Sequence, residues 1–276
     1  MRQRALLRKK LSGPTPLIAP GIYDGLSARL ADPHGFDLLY LSGYGVSASL
    51  LAKPDNGHLS RADMVFRIES ICATISTPLI GDADTGFGGP EETEITVRAY
   101  EAAGAAGIQI EDQQVPKICG HIPGREVVSR NLAVEKIAAA AQARTDEDFL
   151  IVARTDAREQ EGLDEAIARG GAFAAAGADI VFVESPESEA EFEEIGKALA
   201  GVPLLANMVE GGRSPLIARE KLAAYGFKVI IYPVAPMAAA AKALDDAYRD
   251  LRTHEPQAAR LSFDELSRSV GLNKTE

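Results

Sequence analysis

The chain has no tryptophan, two cysteines and no long apolar run, and each shortage narrows what it can be. Cys72 and Cys119 make no disulfide framework, and such sparing use of cysteine suits a reducing compartment, the cytoplasm. No stretch approaches the roughly 18–20 consecutive apolar residues that cross a bilayer. The start, Met1–Leu11, is basic but has no continuous apolar centre, so it does not read as a secretory signal. Positive charge is scarce too: 29 Lys and Arg against 40 Asp and Glu leave a formal net charge of −11. That balance argues against nucleic acid or an anionic membrane as partner, since both need a basic face. It leaves room for an anionic small substrate, because a buried cation and a few arginines reverse the field locally.

The 276 residues hold 46% apolar and 25% charged side chains, the balance of a globular protein. Short apolar runs alternate with longer, alanine-rich stretches of helical period. The runs are Pro16–Ala19, Leu38–Leu41, Leu79–Gly81, Gly107–Ile110, Phe149–Ala153, Ile180–Val183, Pro203–Ala206 and Val229–Tyr232. Between them lie Glu91–Ala103, Ala133–Arg144, Asp164–Ala176, Glu189–Ala200 and Pro215–Tyr225. Continuous apolar strands separated by helices mean a parallel sheet covered by helices. Eight such units predict an α/β chain folded as a (β/α)8 TIM barrel, one domain over residues 1–276 with a short N-terminal helix and a C-terminal helical extension. An open doubly wound sheet competes, but no glycine-rich dinucleotide turn follows the first run.

Nearly every run ends in a polar or ionisable group, and in a barrel these ends share one rim, where active sites of this fold are built. Asp82 and Asp84, two apart on a strand, are expected on one face, where like charges repel unless a proton or a cation sits between them. With Glu111 as a third oxygen donor this is the pattern of a hard cation, Mg²⁺; the alternatives are a helix cap or a lysine pair. Gly86, Gly88 and Gly89 are expected to let the next loop pass close to a ligand. Lys117, Cys119 and His121 lie within five positions around Gly120; a thiol beside a lysine and a histidine is expected to have a lowered pKa and to trade a proton. Pro116, Gly120, Pro123 and Gly124 mark the segment as a loop that closes over substrate. Arg154 ends a buried strand and requires an anion, either a substrate carboxylate or an internal partner, Glu111 or Glu184. Ser42-Gly43-Tyr44-Gly45 offers backbone N–H groups to an anion and a phenol for proton transfer. Together these groups suit breaking a carbon–carbon bond beside the carbonyl or hydroxyl of an oxo or hydroxy acid, with Cys119 as general acid.

Lys117-Ile118-Cys119-Gly120-His121 resembles the K-[KR]-C-G-H signature of the isocitrate lyase/phosphoenolpyruvate mutase superfamily. Ser42-Gly43-Tyr44, Pro54-Asp55, Gly81–Gly86, Glu111–Gln113, Ala153–Ala157 and Asn207–Gly212 agree with it in order, so the resemblance covers about Pro20 to Tyr248. It implies a barrel whose last helix is exchanged between subunits, a dimer or tetramer, and dependence on Mg²⁺, with Mn²⁺ as a substitute. By position, Asp82 resembles the direct metal ligand, with Asp55, Asp84 and Glu111 acting through water. Ser42, Gly43, Tyr44, Gly120 and Arg154 resemble binders of the 2-oxo acid portion, and Glu184 and Asn207 the groups lining the rest of a di- or tricarboxylate substrate. Lys117, Cys119, His121, Tyr44 and Arg154 are the catalytic candidates. Retention of Cys-Gly-His points to a C–C lyase over a phosphonomutase, and Met208–Gly212 looks more like the dimethylmalate lyase and petal death protein branch than like methylisocitrate lyases. Those carry an arginine after the eighth strand, where this chain has Ala238. The expected substrate is a 2-alkylmalate such as 2,3-dimethylmalate. Methylisocitrate cleavage, oxaloacetate hydrolysis or decarboxylation and carboxyphosphonoenolpyruvate mutase chemistry are the alternatives. Ile118 stands where the signature has a basic residue.

Overall fold

The computed structural model describes residues 2–120, 122–253 and 259–272. Eight parallel strands close into a barrel in sequence order, β1 (Leu17–Ile22), β2 (Leu39–Leu41), β3 (Leu79–Asp82), β4 (Gly107–Glu111), β5 (Leu150–Thr155), β6 (Ile180–Val183), β7 (Leu204–Asn207) and β8 (Phe227–Tyr232). The seam pairs Leu17 with Val229 and Pro20 with Tyr232. At that seam Gly21 is required: a Cβ there would lie 2.2 Å from the Pro233 carbonyl oxygen.

The strands divide the apolar side chains by their period of two. Leu17 and Ala19, Tyr40, Ile80, Leu150 and Val152, Ile180 and Phe182, Leu205, and Val229 and Ile231 fill the barrel interior. The alternate residues, among them Leu39, Leu41, Ile108, Ile110, Ile151, Ala153, Val181, Leu204 and Ile230, face the helices. Burying both faces is what makes the strands read as unbroken apolar runs. Helix α1 (Arg2–Leu11) closes the lower end by inserting Leu7 and Leu11 into the interior cluster. Arg4 anchors it by pairing with Asp146 and lying over the Phe149 ring, 5.3 Å from its centroid.

Around the barrel stand α2 (Gly25–Ala31), α3 (Gly43–Val46), α4 (Arg61–Cys72), α5 (Pro90–Ala102), α6 (Arg130–Ala143), α7 (Arg158–Glu161), α8 (Leu163–Ala175), α9 (Glu189–Ala198), α10 (Arg219–Ala224) and α11 (Ala235–Thr253), followed by α12 (Phe263–Ser269). Periodicity did not single out α2, α3 or the first turns of α4. Their starts are set by side-chain caps, Asp24 with Ser27 for α2, Ser42 for α3 and Ser60 with Asp63 for α4. Cys72 is half-buried, and burial pushes its thiol up to about 11. Among the described residues no helix is long and apolar enough to cross a membrane.

Several strands run one or two residues further than their apolar runs. Asp82, Glu111, Arg154, Thr155 and Asn207 are therefore strand residues, not loop residues. Asp82 follows Ile80, Arg154 follows Val152, Glu184 follows Phe182 and Asn207 follows Leu205, each continuing the inward set of its strand by one step of two. The polar layer at the upper rim is thus the barrel's interior packing, carried one layer further with different chemistry.

Candidate active site

The rim encloses a cavity of about 300 Å³ lined by Ser42, Tyr44, Asp55, Asp82, Cys119, Gly120, Arg154, Glu184 and Asn207, together with apolar side chains. Nine of the fourteen candidate residues from the sequence therefore meet in one space. Gly43, Lys117, Asp84 and Glu111 stand behind its wall, and His121 lies outside the described residues.

One side of the cavity is a carboxylate cluster. Gly43 packs against it: a Cβ there would lie 2.7 Å from Asp82 Oδ2 and 3.5 Å from Asp84 Oδ1. Asp82 and Asp84 do converge, but not by strand alternation. Asp84 is past the end of β3 with a left-handed φ of 47°, and the turn brings its carboxylate back beside Asp82. Its backbone N–H donates to Asp82 Oδ1 at 3.1 Å. The backbone N–H groups expected to meet a substrate anion are used inside the protein. Gly43 donates to Asp82 at 3.3 Å and Gly45 to the Ser42 hydroxyl at 3.2 Å. Gly86 and Gly88 also differ from expectation: they approach Thr93 and Glu92 at the start of α5, not the cavity.

Lys117 bridges Asp55 and Asp84, with Nζ 2.7 Å from an oxygen of each. Burial alone would depress this lysine, but Asp84, Glu111, Asp55 and Asp82 hold it well above its ordinary value. The surrounding carboxylates thus favour its ammonium form, which balances part of their charge. One cation is not enough for the group. Burial pushes Asp82 up, Asp84 up to about 6 and Glu111 well above the carboxylate range, against the opposing pull of Lys117 and Arg154. Glu111 Oε1 is buried without a hydrogen-bond partner. Undercompensated buried oxygens fit a hard divalent cation. Among the described residues no three such donors form a ready-made cage.

Arg154 occupies the centre of the floor and both internal partners considered from sequence are real: Glu111 lies 3.3 Å from Nε and Glu184 3.2 Å from Nη1. Its strongest partner is one the sequence reading missed. Asp156 accepts from Nε and Nη2 at 2.8 Å each. Asp156 is itself fixed by its backbone N–H donating to Asp112 Oδ1 at 2.9 Å. Asn207 Nδ2 donates to Glu184 Oε2 at 3.2 Å, so the far floor is ordered as well.

The loop after β4 lies over this floor. Gln113 clamps it through both ends of its amide, donating to the Ile118 carbonyl and accepting from the Ile118 N–H at 2.9 Å each. Ile118 thus acts through its backbone. Cys119 is half-buried and lines the cavity, and Gly120 lies flat against the floor, where a Cβ would be 2.4 Å from Arg154 Nη2. Tyr44, 39% exposed, stands at the mouth. Beyond these polar groups the lining adds Glu210 and a run of apolar side chains: Ile122, Phe182, Val209, Ile231, Pro233 and Val234. Sequence reasoning missed this wall because its members come from four separate segments and look like ordinary core or loop residues.

A closed parallel barrel with carboxylates, an arginine and a thiol-bearing loop converging at its carboxyl-terminal rim defines an enzyme of the (β/α)8 class. Comparison with known proteins narrows the class. The model of the family described as phosphoenolpyruvate phosphomutase matches residues 7–252, and the chain belongs to the PEP mutase/isocitrate lyase superfamily. It is 45% identical over 278 residues to the 2,3-dimethylmalate lyase of Eubacterium barkeri, covering 99% of this chain and 96% of that protein. It is 42% identical to the 2-methylisocitrate lyase of Aeropyrum pernix, covering 91% and 80%. The structure of oxaloacetate acetylhydrolase with 3,3-difluorooxalacetate superposes with a TM-score of 0.93 at 38% identity, covering 98% and 93%. A phosphonopyruvate hydrolase in complex with oxalate and Mg²⁺ gives 0.86 at 33%, covering 98% and 95%.

Proposed function

We propose that this enzyme is a Mg²⁺-dependent carbon–carbon lyase that cleaves a 2-alkylmalate-type acid, 2,3-dimethylmalate or a close analogue, into a 2-oxo acid and a carboxylic acid. The observation that carries this reading is the make-up of the cavity. Among the described residues Arg154 is the only cation in its lining, and the lining outside the carboxylate floor is mostly apolar, with Glu210 as its one further charged side chain. Arg154 holds the carboxylate next to the reacting carbon, and the apolar wall accepts alkyl substituents. A tricarboxylate would bring a further carboxylate with no cation to meet it. The likeness to 2,3-dimethylmalate lyase over nearly the whole chain points the same way.

Asp82 would hold the cation directly, with Asp55, Asp84 and Glu111 acting through water. When bound, Mg²⁺ supplies positive charge that stabilises the developing negative charge as the bond breaks. Arg154, fixed by Asp156, Glu111 and Glu184, orients the 2-hydroxy acid. The hydroxyl proton leaves through Tyr44, whose phenol accepts it while passing its own to solvent. The electron pair of the broken bond moves onto the departing fragment, and the Cys119 thiol protonates that carbon. The loop over the floor keeps water from competing for it.

The same reading makes the protein a cytoplasmic homo-oligomer that exchanges its last helix. Leu244, Tyr248 and Leu251 on α11 and Phe263 on α12 are exposed apolar side chains of the kind a partner covers. Light scattering would give one chain mass if that part is wrong.

The test of function is a substrate panel with Mg²⁺: 2,3-dimethylmalate and other alkylmalates, methylisocitrate and oxaloacetate, with products identified by mass. Alkylmalates should give a 2-oxo acid and a carboxylic acid in equal amounts. Turnover of methylisocitrate alone, or of oxaloacetate alone, would reject the substrate class.

A further inference from the structure

Arg125 is a residue that the chemistry above does not use. It is 1% exposed, on the far limb of the loop that carries Cys119, and it does not line the cavity. Enclosing a guanidinium is costly unless its N–H groups find partners, and here Nε and Nη1 do while Nη2 is buried without one. Here the partners have a common theme. Nη1 donates to the Gly120 carbonyl and lies 3.0 Å from Asp156 Oδ1, while Nε donates to Glu159 Oε2 at 2.7 Å. The Gly120 carbonyl receives a second donor, the Ser185 hydroxyl at 2.9 Å. Ser185 adopts a left-handed φ of 58°, uncommon for a residue with a side chain, and such conformations persist where their surroundings hold them. Asp156 Oδ1 also accepts from Arg154 Nη2 at 2.8 Å. A continuous path therefore runs from the peptide next to Cys119, through Arg125 and one carboxylate oxygen, to Arg154.

We propose that Arg125 is a positioning residue for the reaction: with Ser185 it latches the Gly120 carbonyl so that Cys119 stays over the cavity, and through Asp156 it sets the loop against Arg154. The proposal rests on the reading of Cys119 as the acid. A guanidinium suits this place because its fork reaches a carbonyl and two carboxylates in different directions at once, which a lysine does not do.

The test uses the full chain with Cys72→Ser, leaving Cys119 as the single thiol, and compares Ser185→Ala and Arg125→Lys with that parent. Three quantities are read: the rate of Cys119 alkylation by iodoacetamide, kcat and KM on the malate identified by the panel, and Tm. Ser185→Ala removes one of two donors, so alkylation should quicken and kcat fall by roughly fivefold each, the weight of one ordinary hydrogen bond, with KM and Tm nearly unchanged. Arg125→Lys should move both further and raise KM as well, since Arg154 loses its tie to the loop. Should Arg125→Lys fail to fold, Ser185→Ala decides alone. Alkylation within about twofold of the parent in every folded variant, the scatter of an independent site, would overturn the latch even if Tm falls. Alkylation needs no substrate, so it reads the latch even if no malate is cleaved and the functional reading fails.

Discussion

Asp156→Asn is the substitution that reports best on the floor of the site. The side chain keeps its shape but loses its charge, and one acceptor oxygen becomes an N–H facing a guanidinium. Asp156 accepts from Arg154 at 2.8 Å twice and from Arg125 at 3.0 Å, all buried. Breaking a buried pair by neutralising one partner costs about 3–5 kcal/mol. Arg154 keeps Glu111 and Glu184 at 3.3 and 3.2 Å, which puts the cost near the lower end, about 3 kcal/mol. For a chain of this size that lowers Tm by roughly 6–10 °C. Burial alone would raise the Asp156 carboxyl, but Arg154 and Arg125 hold it below the ordinary value. A lowered folded value means stability that is fully present above the unfolded value of about 4 and lost as the pH falls through the folded one. The gap in Tm between wild type and variant is therefore level from about pH 8 to pH 5 and closes below about pH 4. Thermal melts at stepped pH, with oxalate titrations alongside, measure both consequences; oxalate should bind about tenfold more weakly as Arg154 loses its orientation. Equal Tm values at neutral pH, or a gap that widens on acidification, would refute the reasoning.

Other substitutions test other parts. Cys119→Ser should lower cleavage by roughly 10²–10⁴-fold while leaving oxalate binding intact, measured by product release and calorimetry; full activity would remove the thiol from the mechanism. Gly120→Ala places a Cβ 2.4 Å from Arg154 Nη2 and 2.8 Å from Glu184 Oε2. The loop must lift, and kcat/KM should drop by about a hundredfold. Gly196→Ala, far from the site, puts a Cβ 1.9 Å from the Tyr225 carbonyl oxygen. It should cost about 1–3 kcal/mol, read as a lower Tm, without changing kcat below the melt.

Much of the site was legible because a strand has a period of two. Once the apolar runs are taken as barrel strands, Asp82, Arg154, Glu184 and Asn207 point inward as surely as the Ile80, Val152, Phe182 and Leu205 that precede them. Chain order then brings them together, since consecutive strands are neighbours around the ring. Where the argument needed torsions or long-range contacts, periodicity was silent. Nothing in the spacing Asp82–Asp84 announces a left-handed turn at Asp84. Lys117 looks like a partner of Cys119 because it is two residues away, yet its ammonium belongs to Asp55 and Asp84 from other segments. Arg125 and Asp156 are 31 residues apart and meet only because β4 and β5 are adjacent. The helices α2 and α3 were missed for a simpler reason: each is under two turns of residues and is defined by its caps, not by a stripe.

The central claim is that the buried carboxylates and Cys119 serve a cation-dependent cleavage of an alkylmalate. Its most direct test is to strip the protein with a chelator, supply 2,3-dimethylmalate, and follow 2-oxo acid release as Mg²⁺ is returned. The stripped protein should release none, and activity should recover as Mg²⁺ is added, with one carboxylic acid formed per oxo acid. Cleavage that continues unchanged after chelation, or an inert dimethylmalate beside rapid turnover of methylisocitrate, would contradict it.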